Sequence, residues 1–166
     1  MNFIPFERAT FKTRLPISDA KNNLEKELLP QQGFTVRNNA TTSKKFEGIT
    51  TGNEFKMKRI IDYRNSFLPQ IHLKLQQELS DVSVNVTFKL MPFVSIFISL
   101  WLLIVFVTGT VLLIAPNNED TDAGFAFGKF IPIIMFIFGY LMLFLAFNYE
   151  VNKAKKELKQ ILQIVN

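Results

Sequence analysis

Cysteine is absent from the 166-residue chain, and histidine and tryptophan each occur once. Without a thiol, the chain can form no disulfide framework, no thiolate zinc site and no cysteine nucleophile. His72 has no second histidine to join it in a metal site, and its place among alternating polar residues predicts a surface side chain. The glycine-containing stretch GITTG, residues 48–52, lacks the Gly-Lys-Ser/Thr ending of a phosphate-binding loop. We therefore expect no enzyme activity, no metal site and no cofactor.

Charge is absent from the long stretch of residues 93–115. At about 1.5 Å per residue this stretch would form a helix of roughly 34 Å, enough to cross a bilayer core of about 30 Å. Residues 128–148 are similarly apolar apart from Lys129, whose long side chain can reach a membrane interface. The connection PNNEDTDAG, residues 116–124, is short and rich in turn formers. The pattern predicts a transmembrane helical hairpin within residues 92–149.

Positive charge is missing from the connection between the two predicted spans, which contains only acidic charges. Lys and Arg outnumber Asp and Glu on both outer flanks, and the net charge is +5. The positive-inside rule therefore places both termini in the cytoplasm. We predict a two-pass protein of the cell inner (plasma) membrane. The bases follow the spans rather than forming a dense stripe, so nucleic acid is not an expected partner.

Residues 1–91 show the alternation of apolar and polar side chains that is typical of β-strands. The runs FLPQIHLKL (67–75) and DVSVNVTFKL (81–90) both follow it, and Pro69 predicts that the first of them is an edge or bulged strand. Shorter strands are predicted around Phe34 and within residues 44–60, where Gly52-Asn53 forms a turn. This part of the chain is predicted to be a cytoplasmic β-rich domain.

One helix is predicted between Pro16 and Pro30, with Ser18 as its N-cap. Its apolar side chains fall on one stripe, so the helix should cover the sheet. The predicted fold class is α+β: a mostly antiparallel sheet or partial barrel with one covering helix, followed by the transmembrane hairpin and a C-terminal helix. The helix stripe consists of Ala20, Leu24 and Leu28.

The chain passes from the last predicted strand to the first span within one or two residues, because Lys89-Leu90 is followed closely by Pro92. No Gly/Ser tether separates the two parts. Residues 150–166 are predicted to form a cytoplasmic amphipathic helix that continues the second span. Its stripe could be covered by the chain's own sheet, by a second copy or by lipid. The stripe consists of Val151, Ala154, Leu158, Ile161 and Val165, with Leu162 beside them.

Basic, amide, hydroxyl and aromatic side chains occur together in KRIIDYRNSFLPQ, residues 58–70, between two predicted strands. Such groups in combination can hold a phosphate or a nucleobase. The same loop could instead face anionic headgroups or water. The candidate ligand-binding residues are Lys58, Arg59, Tyr63, Arg64, Asn65 and Ser66.

In its general plan, a β-rich domain joined to two membrane helices, the chain resembles the small effectors of bacterial anti-phage nucleotide signalling. In many of those effectors the helices come first, whereas here they follow the β-rich part. The resemblance implies a nucleotide-sensing domain whose state controls assembly or membrane disruption. We therefore predict a homo-oligomeric sensor/effector with a small-molecule or nucleotide ligand. The alternative is a non-catalytic scaffold or accessory subunit of a larger membrane complex.

Overall fold

The structure, a computed structural model, describes residues 5–30, 43–115 and 128–164. These residues form six strands and three helices, which confirms the predicted α+β class. The predicted strand around Phe34 and the connection 116–124 lie outside the described residues. The elements in chain order are β1 (Phe6–Thr13), α1 (Ile17–Glu27), β2 (Leu28–Pro30), β3 (Phe46–Thr51), β4 (Glu54–Arg59), β5 (Gln70–Gln77), β6 (Val82–Lys89), α2 (Pro92–Ile114) and α3 (Ile131–Ile161).

The strands form one open sheet in the order β1-β6-β5-β4-β3-β2. Every neighbouring pair is antiparallel except β2 and β3, which run parallel. The sheet is therefore mostly antiparallel, as predicted, and it is open rather than a partial barrel. Strands β1 and β2 are its two edges.

Two hairpins are present in the sheet, the first of them at the predicted Gly52-Asn53 turn. Strands β3 and β4 are joined at Gly52-Asn53, where Gly52 has a φ of 61°, a left-handed conformation that glycine adopts without steric cost. The second hairpin joins β5 to β6, and Gln77 pairs with Val82 at its closed end. The prediction of an edge or bulged strand at Pro69 is wrong, since β5 lies between β4 and β6 and pairs with β6 in an unbroken register. Pro69 directly precedes the strand, so its missing N–H removes no hydrogen bond from the ladder.

Helix α1 begins two residues earlier than predicted, with Pro16 at the N-cap position and no side-chain cap. The prediction that Ser18 is the N-cap is therefore wrong. Ala20 and Leu24 are buried on the helix as expected. Leu28 is also buried, but it belongs to β2, because the chain turns extended after Glu27 and pairs with β3.

The described residues divide into two compact units. The first, which we call the sheet unit, comprises Met1–Met91 and Ala146–Asn166. The second, which we call the span unit, is Pro92–Leu145. The chain passes between them at Met91-Pro92 and again inside α3, at Leu145-Ala146.

The C-terminal part of α3 packs within the sheet unit. Thr13 Oγ1 donates a hydrogen bond to the Leu162 carbonyl at 2.7 Å, and Lys155 forms an ion pair with Glu7. The C-terminal stripe is therefore covered by the chain's own sheet, which is one of the three alternatives given above. The apolar side chains of this segment with an exposure of 0% are Val151, Ala154, Leu158 and Leu162.

The span unit contains α2 and the first part of α3. Both helices are long and apolar enough to cross a membrane, with mean hydropathies of 2.6 and 2.2 over their apolar windows. Only 11% of each window is buried, whereas the core helix of a soluble protein is mostly buried. Within this unit Gly139 lies against the ring of Trp101, where an added Cβ would come within 2.5 Å of the indole. The rings of Phe106 and Phe136 are 5.7 Å apart.

Candidate functional site

Two neighbouring candidate residues of β4, Lys58 and Arg59, lie on opposite faces of the sheet, because successive side chains of a strand alternate. Arg59 pairs with Phe46 of β3 and lies on the face that α1 and the C-terminal part of α3 cover. Lys58 pairs with Glu47 on the other face. The six residues predicted to bind a ligand therefore do not all lie on the same side of the sheet.

Arg59 is the centre of a buried polar cluster on the covered face. Its side chain is 5% exposed, and its Nη1 donates to Glu150 Oε2 at 2.6 Å. Its Nε and Nη2 donate to the two oxygens of Glu157 at 2.9 and 2.8 Å, a bidentate pair. Both carboxylates belong to α3, so a side chain of the sheet is held by two positions on one helix face.

The loop after β4 supplies two further donors to the same cluster. The Tyr63 hydroxyl donates to Glu150 Oε1, and Asn65 Nδ2 donates to that oxygen at 3.1 Å. Asn65 Oδ1 in turn accepts the backbone N–H of Phe67 at 2.9 Å, which fixes the turn of the loop. The completely buried carboxylate of Glu150 therefore accepts hydrogen bonds from three side chains of the strand and loop.

Electrostatics in this cluster favour the charged form of the arginine. Burial opposes the charge of Arg59 most strongly, but the hydrogen bonds and charges of Glu157 and Glu150 outweigh it, and its pKa is raised. Burial and the adjacent Glu150 carboxylate raise the pKa of Tyr63, so its hydroxyl keeps the proton that it donates. No buried side-chain nitrogen or oxygen among the described residues lacks a hydrogen-bond partner.

The other candidate residues lie outside this cluster. Lys58 Nζ is 3.9 Å from Glu47, and Arg64 and Ser66 are exposed on the loop. The structure therefore brings together Arg59, Tyr63 and Asn65, and leaves Lys58, Arg64 and Ser66 outside the cluster.

Sequence reasoning missed the two carboxylates, Glu150 and Glu157. Their spacing of seven residues was a usable signal, because it places both on one helix face. That face adjoins the apolar stripe, where a charged side chain needs a partner when the stripe is buried.

Among the described residues no group of three His, Cys, Asp or Glu side chains could hold a metal ion. Comparisons of the chain with protein-family models, with curated proteins and with solved structures found no match. The buried cluster and the two apolar helices are therefore the features of this chain that bear on its function.

Proposed function

We propose that the protein is a non-catalytic sensor/effector of the inner membrane. In this proposal α2 and the first part of α3 form a transmembrane hairpin, and the sheet unit lies in the cytoplasm with both termini. The sheet unit binds a small anionic ligand such as a nucleotide, and its state controls the assembly of the spans or their effect on the bilayer. The observation that carries the proposal is the buried cluster joining Arg59 and its loop to Glu150 and Glu157 on α3.

The loop is suited to couple ligand binding to the helix. Arg64 and Ser66 are exposed next to Tyr63 and Asn65, which both donate to Glu150. A phosphate held by Arg64 and Ser66 would draw these neighbours away from the helix. Glu150 would then lose donors while buried, which destabilises a carboxylate by about 1–3 kcal/mol or more. The C-terminal part of α3 would shift in response, and α3 continues directly into the second predicted span.

The cytoplasmic location predicts a specific labelling pattern in intact cells. Lys153 is exposed on α3, and the chain has no natural cysteine to interfere. A membrane-impermeant thiol reagent is expected to label Asn118→Cys, in the connection between the spans, and to leave Lys153→Cys unlabelled until the cells are lysed. Labelling of Lys153→Cys alone would reverse the orientation, and labelling of both from outside would exclude a hairpin.

Ligand binding is expected to depend on Arg64. In calorimetric titrations of the full chain in mild detergent with a panel of nucleotides, Arg64→Ala should weaken binding roughly 10- to 100-fold, since a charged hydrogen bond contributes about 1.5–3 kcal/mol. The matched control is Arg14→Ala, which removes an exposed arginine from the segment between β1 and α1.

A flat response to the whole panel would overturn the ligand-binding part of the proposal, and so would equal weakening by both arginine variants. If an unrelated protein co-purifies stoichiometrically in the same detergent, the role of scaffold or accessory subunit replaces that of sensor. A homo-oligomer whose mass changes with the ligand supports the proposal.

A further inference from the structure

The second face of the sheet, which we call the open face, carries mostly polar side chains, many of them half-buried. The strand register places Lys56 of β4 beside His72 of β5, and His72 beside Thr87 of β6. Lys89 of β6 pairs with Gln70 of β5 at the end of the same face. None of the apolar stripes of α1 or α3 covers these side chains, because they point away from the core face.

A cavity of about 260 Å³ opens on this face. Its walls combine cationic and apolar side chains. Among the described residues that line it, Glu47 supplies the acid, and Lys58 Nζ lies 3.9 Å from that carboxylate. The lining side chains that bear on ligand binding are Glu47, Ile49, Lys56, Lys58, His72 and Met91.

Lys56 in the cavity wall and Lys89 beside it form no ion pair with any described residue. Elsewhere on the open face, Lys74 pairs with Glu54 at 2.9 Å and Lys12 pairs with Glu78 at 2.9 Å. Within the described part of the chain, Lys56 and Lys89 have no carboxylate within ion-pair distance. The face therefore has two lysines close to the cavity that are not held in ion pairs by the described residues.

The two lysines affect the pKa of the neighbouring His72. Burial lowers its pKa, and the charges of Lys89 and Lys56 lower it further. The other charged groups around it are Lys74 and Glu54, which pair with each other, and Lys58 and Glu47 across the cavity. An anion bound at this place would oppose the lysines and favour the imidazolium.

The apolar part of the cavity favours an amphiphile over a fully hydrated ion. Ile49 is 50% exposed and Met91 is 45% exposed, beside the lysines. Met91 directly precedes α2, and Lys89 is three residues from Pro92, a separation of at most about 11 Å along an extended chain. Lysines next to a span are the usual determinants of contact with anionic lipid.

We propose that the open-face cavity at Lys56, His72 and Lys89 binds the phosphate headgroup of an anionic phospholipid. The lysines neutralise the phosphate, and Ile49 and Met91 contact the glycerol and the beginning of the acyl chains. This inference rests on the membrane part of the proposed function. It is independent of the proposed ligand on the loop, since Arg64 does not line the cavity.

The test uses the full chain in an uncharged detergent, with His72 as a unique nuclear magnetic resonance probe because the chain has one histidine. The titrants are a short-chain phosphatidylglycerol, a short-chain phosphatidylcholine and inorganic phosphate. The phosphatidylglycerol is expected to bind saturably and to raise the pKa of His72. The phosphatidylcholine, whose phosphate is already paired with an ammonium group, is expected to leave it unchanged.

Charge removal should weaken this binding at the cavity and not elsewhere. Each juxtamembrane lysine contributes about fivefold in affinity, so Lys56→Gln/Lys89→Gln should weaken phosphatidylglycerol binding roughly 25-fold. The control Lys12→Gln/Lys74→Gln removes two lysines of the same face that pair with acids, and it should change the affinity by less than about threefold.

Three outcomes would overturn the proposal. They are no shift at His72 with the anionic lipid, equal weakening by the two double variants, and an equal response to inorganic phosphate, which would assign the cavity to free phosphate. Arg64→Ala should leave the lipid response intact. Failure of nucleotide binding with a normal lipid response would therefore remove the loop ligand alone.

Discussion

Replacing Arg59 with methionine is expected to lower the free energy of unfolding of the sheet unit by about 3–5 kcal/mol. The substitution keeps an unbranched side chain of similar length but removes the guanidinium that contacts Glu150 and Glu157. Glu150 then remains buried as a carboxylate with its cationic partner gone, and such an uncompensated charge is strongly destabilising. Urea unfolding in mild detergent, followed by hydrogen exchange of β4 and α3, measures the loss.

The double variant Arg59→Met/Glu150→Met distinguishes the effect of losing the ion pair from the cost of leaving the Glu150 carboxylate buried without a cation. Because it removes the buried carboxylate as well, it should recover a substantial part of the stability lost in Arg59→Met. Arg64→Met is the matched control, since it alters an exposed arginine of the same loop and should change stability by less than about 0.5 kcal/mol. If Arg59→Met is as stable as the unaltered chain, the cluster has no role in joining the loop to the helix.

Replacing Leu158 with alanine is expected to destabilise the sheet unit by about 2–5 kcal/mol. Leu158 has an exposure of 0% on the stripe of α3 that packs within this unit, and truncation leaves a cavity beside the sheet core. The loss should appear as faster hydrogen exchange in the strands as well as in the helix, because both contribute to one core. Thermal unfolding monitored by circular dichroism provides an independent measurement.

Two substitutions serve as controls for Leu158. Leu158→Met roughly conserves volume and should cost less than about 1.5 kcal/mol. Gln160→Ala changes an exposed position on the same helix and should have almost no effect. Faster exchange confined to α3, with unchanged strands, would contradict the packing of this segment on the sheet.

The two results would bear differently on function. In the proposed function, the polar Arg59 cluster would exchange partners when the ligand binds, whereas the apolar stripe around Leu158 would hold the helix in both states. A sensor needs both properties, because the helix must stay attached while its polar contacts change. The variant Glu150→Gln weakens the cluster conservatively. It is therefore the variant in which we would look for assembly without ligand.

Local patterns determined much of the architecture. Strict alternation predicted β5 and β6, the Gly52-Asn53 turn predicted the β3–β4 hairpin, and the two long apolar runs predicted two helices long enough for a membrane. These features depend on neighbouring residues, whose side-chain period and backbone preferences are properties of the sequence itself. Where a local rule was overridden, at Ser18 and Pro69, the neighbouring strand or helix boundary shifted by only a few residues.

The tertiary structure alone decided the site. Arg59 and Glu150 are 91 residues apart, and no local pattern indicates which carboxylate a given arginine will contact. The alternation of side chains along β4 was visible in the sequence. Which side chain became buried depended on which face of the sheet α3 covers: Arg59 lies in the core and Lys58 lies on the open face. The face that α3 covers is determined by the burial of the apolar stripe around Leu158 against the sheet. Such packing depends on complementary surfaces that are distant in sequence and not on neighbouring residues.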